Sequence, residues 1–242
     1  MSLGMFCAVP LPSMPWDDKC KNLVLPCLPL VGGFIGAFWW GTAELLALSG
    51  APAVISAALL ALIPFVASGF IHLDGYMDTS DAVLSRRTAE EKLRILKDPH
   101  AGAFAVIMVA VLFVLQFASA YAAFEKGNYF PLLIVITVVS RCCSAMSILC
   151  LKTMPGSGLA NMFRQGTGTA QKLFIAVVAA LAFALSFLFT GAFGAIPAAA
   201  TALSYIAAMA YAYKDFKGVS GDLAGFALVI GELCGLFTLA LI

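Results

Sequence analysis

Residues 173–213 read LFIAVVAALAFALSFLFTGAFGAIPAAATALSYIAAMAYAY, forty-one positions without a charged side chain. A helix needs about 20 predominantly apolar residues to cross a bilayer, where every backbone N–H and C=O must be satisfied within the element. The run is long enough for two crossings. Gly191, Gly194 and Pro197 punctuate it as a turn, giving spans at 173–190 and 196–213. Outward from this pair, five more segments pass the same length test: 25–48, 51–71, 101–124, 128–150 and 223–242. The 242-residue chain is 62% hydrophobic and 11% charged, with mean hydropathy +0.99, against about 45–50% and about 25% in soluble domains. A water-soluble globule is excluded. The expectation is an all-α polytopic integral membrane protein with seven transmembrane helices, forming one domain over 1–242.

Seven spans put alternate connections on opposite sides, and the Lys and Arg residues orient them. Lys19, Lys21, Arg86, Arg87, Lys92, Arg94, Lys97, Lys152, Arg164, Lys172, Lys214 and Lys217 fall on one side; Lys126 alone falls on the other, and Arg141 lies within a span. This asymmetry predicts a cytoplasmic N-terminus and cytoplasmic long connections in the inner (cytoplasmic) membrane. A net charge of +1 offers no basic patch for nucleic acid, so no nucleic-acid partner is expected. The seven cysteines form no C-x-x-C pair and sit mostly in apolar sequence, where a thiol acts as a small hydrophobe. Neither a zinc site nor a disulfide framework is expected. Prolines at 10, 12 and 15, with no basic region before them, argue against a signal peptide, so the N-terminus is expected to be retained. The Gly32-x-x-x-Gly36 and Gly231-x-x-x-Gly235 spacings suit close helix packing, inside one bundle or between copies in a homo-oligomer.

The polar chemistry is concentrated in residues 72–98, HLDGYMDTSDAVLSRRTAEEKLRILKD, where 11 of 27 positions are charged. The segment 72–100 is therefore expected to form a cytoplasmic active-site loop at the membrane surface. Asp74, Asp78 and Asp81 stand at i, i+4 and i+7, within an arc of about 60° on a helix. Three carboxylates so close raise one another's pKa and repel unless a cation sits among them. No Lys or Arg occurs between His72 and Ser85 to neutralise them. Hard oxygen ligands in this pattern suit Mg²⁺ or Mn²⁺, which bind through a few carboxylates plus substrate phosphate oxygens; the alternative is a solvated acidic face. His72 lies on the opposite face and reads as a packing residue. Gly75 allows close approach of either a ligand or a neighbouring helix.

Thr88-Ala-Glu-Glu91 has the form of a capping box and opens a short amphipathic helix, 89–97, with Leu93 and Leu96 turned to the bundle or bilayer. Its cations Arg94 and Lys97, with Arg86 and Arg87, face headgroups or an anionic substrate, and Lys97-Asp98 returns charge to the surface near the triad. Glu44, Arg141 and Glu232 lie within spans, where an unpaired charge at mid-bilayer costs about 2.5–3.5 kcal/mol on an insertion scale. Glu44 is near a helix end and is expected to face water; an Arg141–Glu232 pair is one solution for the other two, substrate contact another. Asp222 opens the last span, as an N-cap or as a member of the metal site.

The string His72-Leu-Asp-Gly-Tyr-Met-Asp-Thr-Ser-Asp81, followed by Lys97-Asp98-x-x-x-Gly-x-Phe104, closely resembles the cobalamin synthase family (adenosylcobinamide-GDP ribazoletransferase). Further matches are Pro26-Cys-Leu-Pro-Leu-Val-Gly32, Ser140-Arg141, Pro155-Gly-Ser-Gly158 and Gly218-Val-Ser-Gly-Asp222, so the resemblance covers nearly the whole chain. Ala82 and Ala105 stand where the family pattern has glycine, and the segment before Gly156 lacks an arginine of that pattern. The resemblance implies a reaction of adenosylcobinamide-GDP with α-ribazole or its 5′-phosphate, with release of GMP and with the lipid bilayer as the surroundings. It implies Mg²⁺ (or Mn²⁺) on Asp74 and Asp78, with Asp81 as a further ligand or general base. It also implies phosphate contacts from Lys97, Arg94 and Arg141, with Asp98 and Asp222 orienting these cations or completing the metal shell.

Two other functions fit parts of the pattern. A CDP-alcohol phosphotransferase shares the Asp-Gly motif, but Asp78 and Thr79 occupy its Ala-Arg positions. A cation-coupled transporter sets its charges near the midplane, whereas most charges here gather at one edge.

Overall fold

The structure, a computed structural model, describes residues 1–8, 17–127 and 129–242. The prolines that argue against a signal peptide, and position 128, where the fourth span is expected to begin, lie outside these residues. The described chain is helical throughout. α1 (Ser2–Phe6) and a 3₁₀ turn (Asp18–Leu23) precede α2 (Leu28–Ser49), α3 (Ala53–Ala67), α4 (Ile71–Leu84) and α5 (Ala89–Ile95). They are followed by α6 (Ala103–Lys126), α7 (Leu132–Cys150), α8 (Gly158–Arg164), α9 (Thr169–Thr190), α10 (Ala192–Phe216) and α11 (Gly221–Leu241).

Six helices, α2, α6, α7, α9, α10 and α11, are long and apolar enough to cross a bilayer. The expected second span, 51–71, is shortened and bent. α3 ends at Ala67, and the chain turns by 91° into α4. Gly69 (φ 63°) and Phe70 (φ 61°) are both left-handed there, a conformation that is free for glycine and costs a side-chain residue about 1–2 kcal/mol. Bonds from Phe70 N–H to Phe65 O (2.8 Å) and from Asp74 N–H to Phe70 O (2.9 Å) close the turn. Ala57, Leu60 and Ala61 of α3 pack with Ala120 and Ala123 of α6, while Phe65 meets Phe113. α3 thus runs antiparallel to α6, too short by itself to count with the six and a seventh span only if it is taken together with α4 as one bent pair, and α4 lies across the end of the bundle where α6 and α11 begin.

The long apolar run breaks at Gly191 (φ 66°, ψ −157°) between α9 and α10. Pro197 is not in the turn, as expected, but inside α10. It sits in the second turn, where its missing N–H leaves only the Phe193 carbonyl without a helical donor.

Lipid offers helices no hydrophobic reason to associate, so close packing and buried polar contacts must hold them. Gly32 and Gly36 of α2 bring that helix onto Thr137 and Ile134 of α7, and Gly231 and Gly235 of α11 bring it onto Thr201 of α10. Both G-x-x-x-G spacings are occupied within the bundle. Leu45, Leu48, Val114, Leu173 and Leu203 point outward, as a lipid-facing surface requires.

Arg141 of α7 and Glu232 of α11 form a buried ion pair. Ser140 donates to Glu232 Oε1 (2.7 Å) and accepts from Arg141 Nη1 (3.1 Å). The pair ties the two most enclosed helices together and offsets part of the cost of both charges, with Arg141 Nε and Nη2 left without a protein partner. Glu44 is half-buried and accepts from Trp40 Nε1 (2.9 Å).

Candidate active site

The segment expected as a loop over 72–100 is two helices, α4 and α5, laid over one end of the bundle. The i, i+4, i+7 spacing on α4 works as the sequence implies. Asp74 is exposed and Asp78 and Asp81 are half-buried, while His72, Gly75, Tyr76, Thr79, Ser80 and Val83 point into the bundle. The apolar face packs mainly on α11, where Tyr76 stacks on Phe226 (centroids 5.8 Å), and its hydroxyl donates to Met108 O of α6 (3.3 Å).

Two glycines set how closely this acidic helix meets its neighbours. A Cβ on Gly75 would lie 2.8 Å from both Cα and O of Asp222, so the close approach that Gly75 permits is to a helix. A methyl on Gly102, just before α6, would overlap the Asp81 carboxylate. α4 therefore reaches from the start of α11 to the start of α6, and Asp222 joins the triad as a fourth carboxylate. Asp222 is not the N-cap that the sequence allows: Ser220 caps α11, accepting from Leu223 N–H (3.3 Å) and donating to Asp222 Oδ2 (3.3 Å).

The four carboxylates repel. Burial, then Asp74, Asp222 and Asp81, lift the Asp78 carboxyl from 3.8 to about 6. Among the described residues no ion pair reaches any of the four. The charge is uncompensated by the protein, and the donors are hard oxygens, so this set fits a divalent cation. Among the described residues no three acidic, thiol or imidazole groups form a ready cage, so such an ion would complete its shell with water and substrate oxygens, as Mg²⁺ commonly does.

Cations approach from α5 and its exit. The capping box forms as read: Thr88 Oγ1 accepts from Glu91 N–H (3.3 Å), and Glu91 Oε2 accepts from Thr88 N–H (3.1 Å). These bonds hold the Glu91 carboxyl below its usual range. α5 ends at Ile95 rather than 97, and Leu96 anchors its exit in the core. Lys92 is spent on Asp215 of α10 (2.7 Å), a pairing across 123 residues that the sequence did not reveal. Arg94 and Lys97 are exposed, and the Lys97 ammonium lies beside Gly156.

That places Lys97 at the Pro155–Gly158 loop, which is pinned to the 217–220 connection by Met154 N–H to Val219 O (3.0 Å) and Val219 N–H to Lys152 O (2.8 Å). Asp98 turns away to the exposed His100 (2.8 Å), whose backbone and side-chain bonds lower its pKa. Arg141 is fully buried in its pair with Glu232, apart from these cations. Asp74, Asp78, Asp81 and Asp222 thus gather at one end; Lys97 is set beside the Pro155–Gly158 loop, Arg94 lies on exposed α5, and Asp98 and Arg141 are engaged elsewhere. Sequence reading left Gly75 open between ligand and helix, and missed the packing role of Gly102, for which the only signal was a small residue at a helix start.

His72 is buried, stacks on Phe6 (centroids 6.2 Å, planes 11° apart), and leaves Nε2 without a partner. Burial, and after it the Arg141 charge, drives its imidazole down to about 3, so the ring is neutral.

The chain matches the family model described as cobalamin-5-phosphate synthase over residues 1–240. It is 36% identical over 241 residues to adenosylcobinamide-GDP ribazoletransferase of Clostridium botulinum (strain Alaska E43 / Type E3), covering 100% of this chain and 96% of that protein. The protein of the same name from Clostridium perfringens (strain ATCC 13124) is 36% identical over 242 residues, covering 100% and 96%. That from Lachnoclostridium phytofermentans is 32% identical over 234 residues, covering 96% and 89%. No solved structure matches.

Proposed function

The chain belongs to the cobalamin-5-phosphate synthase family, and from that premise we propose that it is an adenosylcobinamide-GDP ribazoletransferase. The acceptor is α-ribazole or its 5′-phosphate. In the reaction, a ribose hydroxyl forms a new P–O bond to the corrinoid-side phosphorus of adenosylcobinamide-GDP. The bond from that phosphorus to the bridging oxygen breaks, the hydroxyl proton passes to a base, and GMP leaves. Such a transfer asks for little beyond charge neutralisation and in-line placement of the alcohol.

The observation that carries this reading is the set of four carboxylates, from α4 and α11, gathered without protein counter-charge at one end of the bundle. Asp74 and Asp78, with Asp222 beside them, would hold Mg²⁺ or Mn²⁺. A divalent ion there supplies charge neutralisation for the pyrophosphate. Asp81, steadied against the Gly102 backbone, receives the hydroxyl proton. Lys97 and Arg94 contact phosphate oxygens, with Lys97 held near the Pro155–Gly158 loop. Arg141 serves the fold through Glu232, and Asp98 orients His100 in place of the phosphate-binding cations. The acidic end faces the cytoplasm of an inner membrane, supported by the twelve cations on that side.

Family membership disfavours both a CDP-alcohol phosphotransferase and a transporter. The test is GMP release by the purified full chain given adenosylcobinamide-GDP, α-ribazole and Mg²⁺. Release that chelation abolishes is expected; no release from this mixture would overturn the assignment.

A further inference from the structure

Beside the acidic group lies an enclosed cavity of about 130 Å³, between the N-terminal segment, the end of α7, α8 and the start of α11. Its walls are mostly apolar, with Phe6, Leu28, Ile148 and Phe163 among them, and three polar side chains line it: His72, Ser144 and Asp222. Asp222 is shared with the acidic group. His72 brings a buried Nε2 that no protein atom satisfies, one of ten such side-chain atoms among the described residues and the one on a residue that lines this cavity beside the carboxylates. Phe6 and His72 present nearly parallel ring faces. An apolar cavity of about 150 Å³ is known to take one benzene ring, so this one suits the edge of a flat heterocycle and excludes anything of corrinoid size.

We infer that this cavity receives the aromatic base of the nucleoside acceptor, an inference that rests on the function proposed above. The benzo ring of a benzimidazole ribonucleoside enters among Phe6, Leu28 and Phe163. N-ribosylation leaves such a base one free ring nitrogen, an acceptor, and a neutral His72 can offer it Nε2–H. The ribose then lies toward Asp222, at the carboxylates that the transfer needs.

The test uses the full chain in detergent and measures binding of free α-ribazole and of unsubstituted benzimidazole riboside by equilibrium dialysis, with GMP release assayed in parallel. Ala160→Leu adds bulk inside the cavity, whose wall Ala160 forms. It should weaken α-ribazole binding by about tenfold or more, the usual range for bulk in an apolar pocket, and shift preference to the smaller base. Ile148→Ala should shift preference the other way, and the KM for adenosylcobinamide-GDP should stay at the wild-type value in both. His72→Phe keeps the stacked ring but loses the donor, and should weaken both ligands alike.

Wild-type affinity and base preference in both cavity variants would overturn the assignment, as would failure of the wild type to bind α-ribazole. Binding with these variant effects but without GMP release would instead overturn the proposed reaction and leave the cavity assigned.

Discussion

Replacing Gly75 and Gly102 by alanine should separate packing from chemistry. At Gly75 the new methyl would meet backbone: Asp222 Cα and O at 2.8 Å, where ordinary contact begins near 3.4 Å. Backbone cannot rotate aside, so α4 and α11 must part by about 0.6 Å, an overpacking that costs about 1–3 kcal/mol. At about 2–4 °C per kcal/mol for a chain of this size, Gly75→Ala should melt about 2–12 °C below wild type. It also moves Asp74 and Asp78 away from Asp222, and displacements of this order cost up to about 10²-fold in rate. At Gly102 the obstruction is the Asp81 carboxylate, the free end of a side chain, and the backbone there (φ −82°, ψ 174°) suits alanine. Gly102→Ala should therefore melt within a degree or two of wild type while GMP release falls steeply, because Asp81 is turned aside. Differential scanning fluorimetry in detergent and a GMP-release assay read both variants. Wild-type melting and turnover in Gly75→Ala would refute the described contact of α4 with α11; unchanged turnover in Gly102→Ala would remove Asp81 from the reaction.

Asp78→Asn should be inactive yet more stable than wild type at pH 7.5 without divalent cations. The folded state raises this carboxyl to about 6 and so holds its proton more tightly than the unfolded chain does. The penalty is complete above that value and fades as pH falls toward 3.8, so the advantage of asparagine should vanish near pH 4; parallel melting curves at all pH values would contradict this. Glu232→Leu leaves a buried Arg141 charge unpaired and should destabilise the bundle by about 3–5 kcal/mol, with Arg141→Met/Glu232→Leu recovering most of the loss. Denaturation in mixed micelles measures it, and equal stability of single and double variants would count against a structural pair.

The spans were legible because charge is so costly in hydrocarbon that its absence over 173–213 leaves few alternatives. The break at Gly191 was legible too. The bend after Ala67 was not, since Phe70 and Ile71 continue the apolar run and the 91° turn depends on left-handed backbone at Gly69 and Phe70. Helical spacing correctly put Asp74, Asp78 and Asp81 on one edge of α4, because that rule is local. What each edge meets is set by contacts distant in sequence. The seating of Asp81 on Gly102, of Gly75 on Asp222 and of Lys92 on Asp215 follows from packing five helices, α4, α5, α6, α10 and α11, and no single segment encodes it. Arg141 and Glu232 lie between these cases: the expense of burying each predicts a partner, and the only opposite charges in spans were few.

The most direct measurement is a cryo-EM map of the full chain in nanodiscs with adenosylcobinamide-GDP and Mg²⁺. It should show the pyrophosphate at the end of the bundle formed by α4 and the start of α11, with ion density contacting the carboxylates of Asp74 and Asp78. A pyrophosphate seated away from all four aspartates, with no ion near them, would contradict the account.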